Sequence, residues 1–176
     1  MNLKSQLILE LKLTSWIPKE VENGYQESSP LYQIQEIIKF LPLKLKELIK
    51  IQHDLLYIGS ELANDGEDSS AIGIDTINED AVSLLENWID RMTEELPPLK
   101  NFVIPGGHVS VSNAHLARCV CRRAERFITE LNTLTETNPV IVYYINRLSD
   151  YLFTLARKFA FEYEIEEIKW TPRQKK

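Results

Sequence analysis

The sequence predicts an all-α protein, an antiparallel bundle of four to five long helices. Apolar residues recur at spacings of three and four over long stretches between residues 45 and 159, the period of a helix with one buried face. Proline, asparagine and glycine interrupt these stretches at short intervals, so consecutive helices must fold back on one another. There is no internal repeat and no low-complexity segment.

In chain order, residues 3–13 fit either a strand, with Leu7, Leu9, Leu11 and Leu13 alternating, or a helix through Leu3, Leu7 and Leu11. Pro18, Asn23, Gly24 and Pro30 mark a loop, after which Leu31 to Phe40 begins a helical pattern that Pro42 interrupts. A long helix follows, with Leu45, Leu48, Ile49, Gln52, Leu55, Leu56, Gly59 and Leu62 as its expected inner stripe, ending near Asn64. The small, acidic segment 65–73 reads as a surface connector. Thr76 and Glu79 have capping-box spacing, so the next helix is expected to open at Thr76. It carries Ala81, Leu84, Leu85, Trp88, Ile89 and Met92 inward and stops near Glu95, because Pro97 and Pro98 cannot continue it.

The loop from Leu96 to Gly107 ends in Pro105-Gly106-Gly107, where the glycines permit positive φ or close approach of a neighbour. Ser110 or Ser112 is the expected cap of the following helix, which runs to about Asn132. Asn138-Pro139 supplies an N-cap and the residue favoured at the first helical position. The last helix runs from 139 to about 163 and buries Ile141, Ile145, Leu148, Leu152, Leu155 and Phe159. Glu166 to Trp170 is either a short strand or an extended tail, and 171–176 is a basic, frayed end.

Composition bounds the function. A chain of 176 residues makes one domain whose folding buries roughly 70% of the extended surface. With 44% hydrophobic and 26% charged residues it is neither disordered nor a disulfide scaffold. A net charge of -6 disfavours a nucleic-acid or anionic-membrane partner, and no apolar run is long enough to span a bilayer. Lys4, Glu10 and Lys12 break up the first apolar segment and no small-residue cleavage site follows, so the expected compartment is the cytoplasm. Cys119 and Cys121 lie two apart on a helix, point to different sides, and are expected to be packing residues; no metal site is expected.

Against this acidic background, Arg118, Arg122, Arg123 and Arg126 stand within nine residues. At helical spacing His115, Arg118, Arg122 and Glu125 form one ridge, with Leu116, Val120, Ala124, Phe127 and Leu131 expected on the opposite, apolar side. Such a ridge suits a polyphosphate, since arginine stays charged and presents a planar fork of donors. A solvated or ion-paired helix face is the plainer reading.

Four pieces in order carry a resemblance: Ile51-Gln-His-Asp-Leu-Leu with Gly59-Ser-Glu-Leu-Ala63; Leu96-Pro-Pro-Leu-Lys-Asn-Phe-Val-Ile-Pro-Gly-Gly107; Ala114 through Arg126; and Asn146-Arg-Leu-Ser-Asp-Tyr-Leu-Phe-Thr-Leu-Ala-Arg157. Over residues 43–170 the chain resembles the ATP:cob(I)alamin adenosyltransferases of the trimeric helix-bundle type, whose fold is ferritin-like. That resemblance divides the chain into a divergent N-terminal segment, 1–42, a bundle domain, 43–170, and the tail, 171–176. It implies a homotrimer holding ATP, Mg2+ and cobalamin between subunits, with a cobalamin reductase or a corrinoid-dependent acceptor enzyme as a further partner. The implied reaction is attack of cobalt(I) on the 5′ carbon of ATP with loss of triphosphate.

By the same resemblance Arg122 contacts the ATP phosphates, Arg118 pairs with an acidic residue across the interface and orders the site, and Asn146 helps hold the nucleotide. Phe102 lies beneath the corrin ring and displaces its lower axial ligand. Glu125 is expected to orient the arginines. Taken as isolated residues, Phe102 is a core or interface aromatic, Asn146 a residue bonded to a nearby carbonyl, and Arg147 with Asp150 a surface ion pair. The family's Thr-Arg-Thr-Gly-Asp-x-Gly-x-Thr loop and Asp-Glu-Leu-Asn motif have no counterpart, because residues 1–52 hold no Asp, no Arg and one glycine, Gly24. The acidic partner for Arg118 is missing with them, and weak or absent turnover is expected. The alternative is a non-catalytic corrinoid-binding or oligomeric module in which the arginines form intersubunit ion pairs.

Overall fold

A computed structural model describes residues 34, 46–63 and 76–171 and places four long helices and one two-stranded ribbon among them. In chain order these are α1 (Lys46–Ala63), α2 (Glu79–Glu95), β1 (Val103–Ile104), α3 (Val109–Leu131), α4 (Pro139–Glu162) and β2 (Ile168–Lys169). The expectations for residues 3–13, 18–30 and 65–73 lie outside the described residues.

Helix α1 buries Leu48, Ile51, Leu55, Ile58 and Leu62, alternately three and four apart. The expected stripe is therefore corrected. Ile49 is exposed and Gln52 and Leu56 only partly covered, while Ile51 and Ile58 face the core. Apolar residues occur on both sides of α1, and the side chosen for burial is the one whose polar member, Asp54, finds a buried partner in α4.

Helix α2 begins two residues later than its capping box suggested. Asn78 is the N-cap, its Oδ1 accepting from the Ala81 amide at 3.2 Å, with Glu79 and Asp80 in the positive first turn. Helix α3 is capped by neither Ser110 nor Ser112: His108 Nδ1 accepts from the Ser110 amide at 3.1 Å, and Ser110 is itself buried. Helix α4 starts as expected, Asn138 Oδ1 accepting from the Val140 amide at 3.0 Å with Pro139 at the first position. The same Asn138 donates through Nδ2 to the Ile77 carbonyl at 3.1 Å, so one side chain ties the starts of α2 and α4 together.

Helices α3 and α4 run antiparallel, with Cys121 opposite Ile145 and Arg118 opposite Phe153. The inner face of α3 is Val111, Ala114, Ala117, Cys121, Ala124, Ile128 and Leu131, rich in small residues that let the α4 backbone approach. Leu116, expected on that face, is 52% exposed, displaced from it by the neighbouring Ala117. Cys121 packs as expected, but Cys119 is exposed. Helix α1 runs antiparallel to α4, since Tyr144 meets Asp54 and Tyr151 meets Glu47. The expected inner residues of α4 are all buried, and Tyr144 and Tyr151 are the bulkiest of the fully enclosed side chains.

Within Glu166 to Trp170 the strand is Ile168–Lys169. β2 pairs antiparallel with β1, Val103 opposite Lys169 and Ile104 opposite Ile168, and the Trp170 amide donates to the Phe102 carbonyl at 2.8 Å.

Candidate functional site at the α3–α4 seam

The outer edge of the α3–α4 contact gathers most of the residues singled out from the sequence. Because the helices are antiparallel, residues two turns apart on one meet residues two turns apart on the other in reverse order. Asn146 Nδ2 donates to Glu125 Oε1 at 2.9 Å, and two turns along α4 the Phe153 ring lies under the Arg118 guanidinium, 5.3 Å from its carbon to the ring centroid. Glu125 also faces Arg122, Nη1 to Oε2 at 3.6 Å, a loose pairing that leaves the Arg122 side chain 49% exposed. Arg126 turns back along the helix and donates to the Arg122 carbonyl at 3.2 Å.

His115 begins the ridge but is buried, its ring edge-on to Phe153 with centroids 6.1 Å apart. Burial, reinforced by the Arg118 charge, holds this imidazole below its ordinary value, while Glu167 acts in the opposite sense. Burial and the neighbouring charge thus both disfavour a second cation beside Arg118. Among the described residues no carboxylate pairs with Arg118. Arg147 and Asp150 form the expected surface pair at 2.9 Å, with Glu86 of α2 adding a second carboxylate at 3.1 Å.

Phe102 lies apart from the ridge, 78% exposed on the outer face of the ribbon, with Trp170 edge-on at 6.2 Å between ring centroids. Strand alternation puts Ile104 and Ile168 on that same outer face and Val103 and Lys169 on the inner one. The inner face borders a cleft of about 350 Å³ in which the buried Arg157 donates to the Pro97 carbonyl at 2.7 Å and to Glu167 at 3.1 Å. Arg157 thus anchors the start of the Phe102 loop to the residue just before β2. Its end is fixed by Gly107, where φ is +88° and an added Cβ would come within 2.6 Å of Ile165. Glu167 reaches both Arg157 and the electrostatic surroundings of His115, so the ribbon is set at the Arg118 end of α3.

Sequence reasoning gave no role to Phe153, Arg157 or His108. The only trace of the first was an aromatic two turns beyond Asn146 on the same side of α4. The other two act through partners distant in the chain.

The chain belongs to the cobalamin adenosyltransferase family, whose model matches residues 33–159, beginning upstream of residue 43, the expected start of the resemblance. It is 43% identical over 119 residues to the corrinoid adenosyltransferase MMAB of Mus musculus, covering 66% of this chain and 50% of that one. To the corrinoid adenosyltransferase of Bacillus subtilis it is 42% identical over 111 residues, covering 63% and 55%. The chain spans about half the length of the curated relatives it matches. A variant of the PduO-type ATP:corrinoid adenosyltransferase from Lactobacillus reuteri, complexed with cobalamin and ATP, superposes with a TM-score of 0.69 at 27% identity, covering 83% of this chain and 88% of that one. The all-α bundle expected from the sequence is the fold of this family.

Proposed function

We propose that this chain is an ATP:corrinoid adenosyltransferase. The observation that carries the reading is the exposed, loosely paired Arg122 beside Arg118 on a seam that Asn146 and Glu125 hold in register. In the proposed reaction the cobalt(I) electron pair of the corrinoid substrate forms a bond to the 5′ carbon of ATP. The bond from that carbon to the phosphate oxygen breaks, and triphosphate leaves with the electron pair of the broken carbon–oxygen bond. Charge builds on the departing oxygens and no proton need move at the metal, so cationic donors do the stabilising. Arg122 and Arg118 meet the phosphates, Asn146 orients the nucleotide, and Phe102 presents an apolar ring to the lower corrin face, where it keeps water from the cobalt.

The homotrimer, the cytoplasmic setting and a reductase or acceptor partner belong to the same proposal. No described helix is long and apolar enough to cross a membrane. Magnesium is expected to travel with ATP. Among the described residues no three His, Cys, Asp or Glu side chains are placed to hold a metal ion.

The test is to mix the protein with ATP, magnesium and chemically reduced cobalamin and follow the loss of cobalt(I) absorbance. Turnover that falls by about a hundredfold or more in Arg122→Ala, with the oligomer intact, supports the enzyme. Dissociation of the oligomer without change in ATP affinity would point instead to the structural module. Wild-type turnover at ordinary enzyme rates would overturn the expectation of impaired activity drawn from residues 1–52.

A further inference from the structure

We infer that Phe153 is a positioning residue for the phosphate-binding arginines: its ring holds the Arg118 guanidinium by charge–quadrupole attraction and leaves that cation's donors open to the triphosphate. This inference rests on the adenosyltransferase reading above and deepens it.

Two cations on neighbouring turns of one helix repel each other and, left alone, sample many rotamers. Arg122 is restrained by Glu125, and Glu125 by Asn146. Arg118 has no such carboxylate among the described residues, and its charge instead sits 5.3 Å over the Phe153 ring. That is within the roughly 6 Å over which the negative face of a benzene ring attracts a cation.

The two restraints differ chemically. A carboxylate takes up N–H donors, whereas an aromatic face attracts the charge and takes no lone-pair acceptor position. An arginine resting on a ring therefore keeps its fork of donors for an incoming anion. The ring also meets His115, edge-on at 6.1 Å, and burial together with the Arg118 charge disfavours the cationic form of that imidazole, so the ring is held chiefly by one cation. Phe153 and Asn146, on one side of α4, thus restrain Arg118 directly and Arg122 through Glu125.

The experiment is a double-mutant cycle read by calorimetric titration of inorganic triphosphate, with ATP as a second ligand. Phe153→Leu should weaken triphosphate binding about 3- to 30-fold in the otherwise wild-type protein and cause no further loss in an Arg118→Ala background. Pentafluorophenylalanine at position 153 keeps a similar volume but reverses the ring quadrupole. It should weaken binding at least as much as Leu, with helix content unchanged, which covers the case in which Phe153→Leu fails to fold. Wild-type affinity in the fluorinated protein, or an equal loss from Phe153→Leu with and without Arg118, overturns the inference and leaves Phe153 as packing. If Arg118→Ala and Arg122→Ala both bind triphosphate like wild type, the phosphate site itself is wrong. If they lose affinity while the Phe153 variants do not, only the role of Phe153 falls.

Discussion

The Tyr144 hydroxyl donates to Asp54 at 3.0 Å inside the bundle, and burial with the adjacent carboxylate holds the phenol well above its ordinary ionisation range. Lys50, one turn earlier on α1, is the second partner of Asp54. Two turns along α4, Tyr151 repeats the arrangement with Glu47, at 2.9 Å. The two phenol–carboxylate rungs fix the register of α1 against α4. Tyr144→Phe should leave one oxygen of a buried carboxylate unsatisfied and destabilise the fold by about 1–3 kcal/mol, read as a lowered urea midpoint at unchanged slope. A midpoint equal to wild type would mean that Asp54 is satisfied without the phenol.

Gly107 has no room for a side chain, and its φ of +88° is one that other residues rarely adopt. Gly107→Ala should cost about 1–3 kcal/mol through backbone strain and the clash with Ile165. The loss should appear in thermal unfolding and, because the same turn closes the Phe102 loop, as weaker corrinoid binding. Intact corrinoid affinity in a destabilised variant would separate the turn from the site.

His115 titrates below its ordinary value of 6.5, first because burial disfavours the imidazolium and second because Arg118 repels it. The unfolded chain accepts the proton near that ordinary value while the native state resists it. The unfolded state then binds more protons, so the stability contribution is complete above about pH 6.5 and shrinks as pH falls below it. Urea midpoints measured at about pH 7.5 and about pH 5.5 should show a smaller drop for His115→Gln than for the wild type. An equal drop would assign the acid sensitivity to other groups.

The two cysteines should behave oppositely toward a thiol reagent. Burial pushes the Cys121 thiol far up, and its Sγ donates to the Ile145 carbonyl at 3.1 Å, whereas Cys119 is exposed. One thiol per native chain should react promptly and the second only after unfolding. Rapid loss of both would mean that the α3–α4 seam opens readily.

What the sequence made legible was largely local. The Asn138-Pro139 start of α4, the inner face of that helix and the breaks at Pro97 and Pro105 each depend on residues close in the chain, and each agrees with the structure. Capping was harder, because competing donors stand side by side. Thr76 has the right spacing to Glu79, but Asn78 is the residue adjoining the helix, and the amide between them, that of Ile77, faces Glu61 of α1 at 3.4 Å. The face of α1 could not be chosen from its own pattern, since Ile49 and Leu56 are as apolar as Ile51 and Ile58. The arginine ridge was legible as a cluster, but the contact of Arg118 with Phe153 arises only when α4 is laid against α3.

The ribbon has one mechanical consequence. β1 precedes α3 and β2 follows α4, so the antiparallel pair of helices already brings the two strands side by side, and little further loop-closure entropy is lost when they pair. A protease cut just before Ile168 would part β2 and Trp170 from Phe102 while leaving the Arg157 and Gly107 anchors of its loop in place.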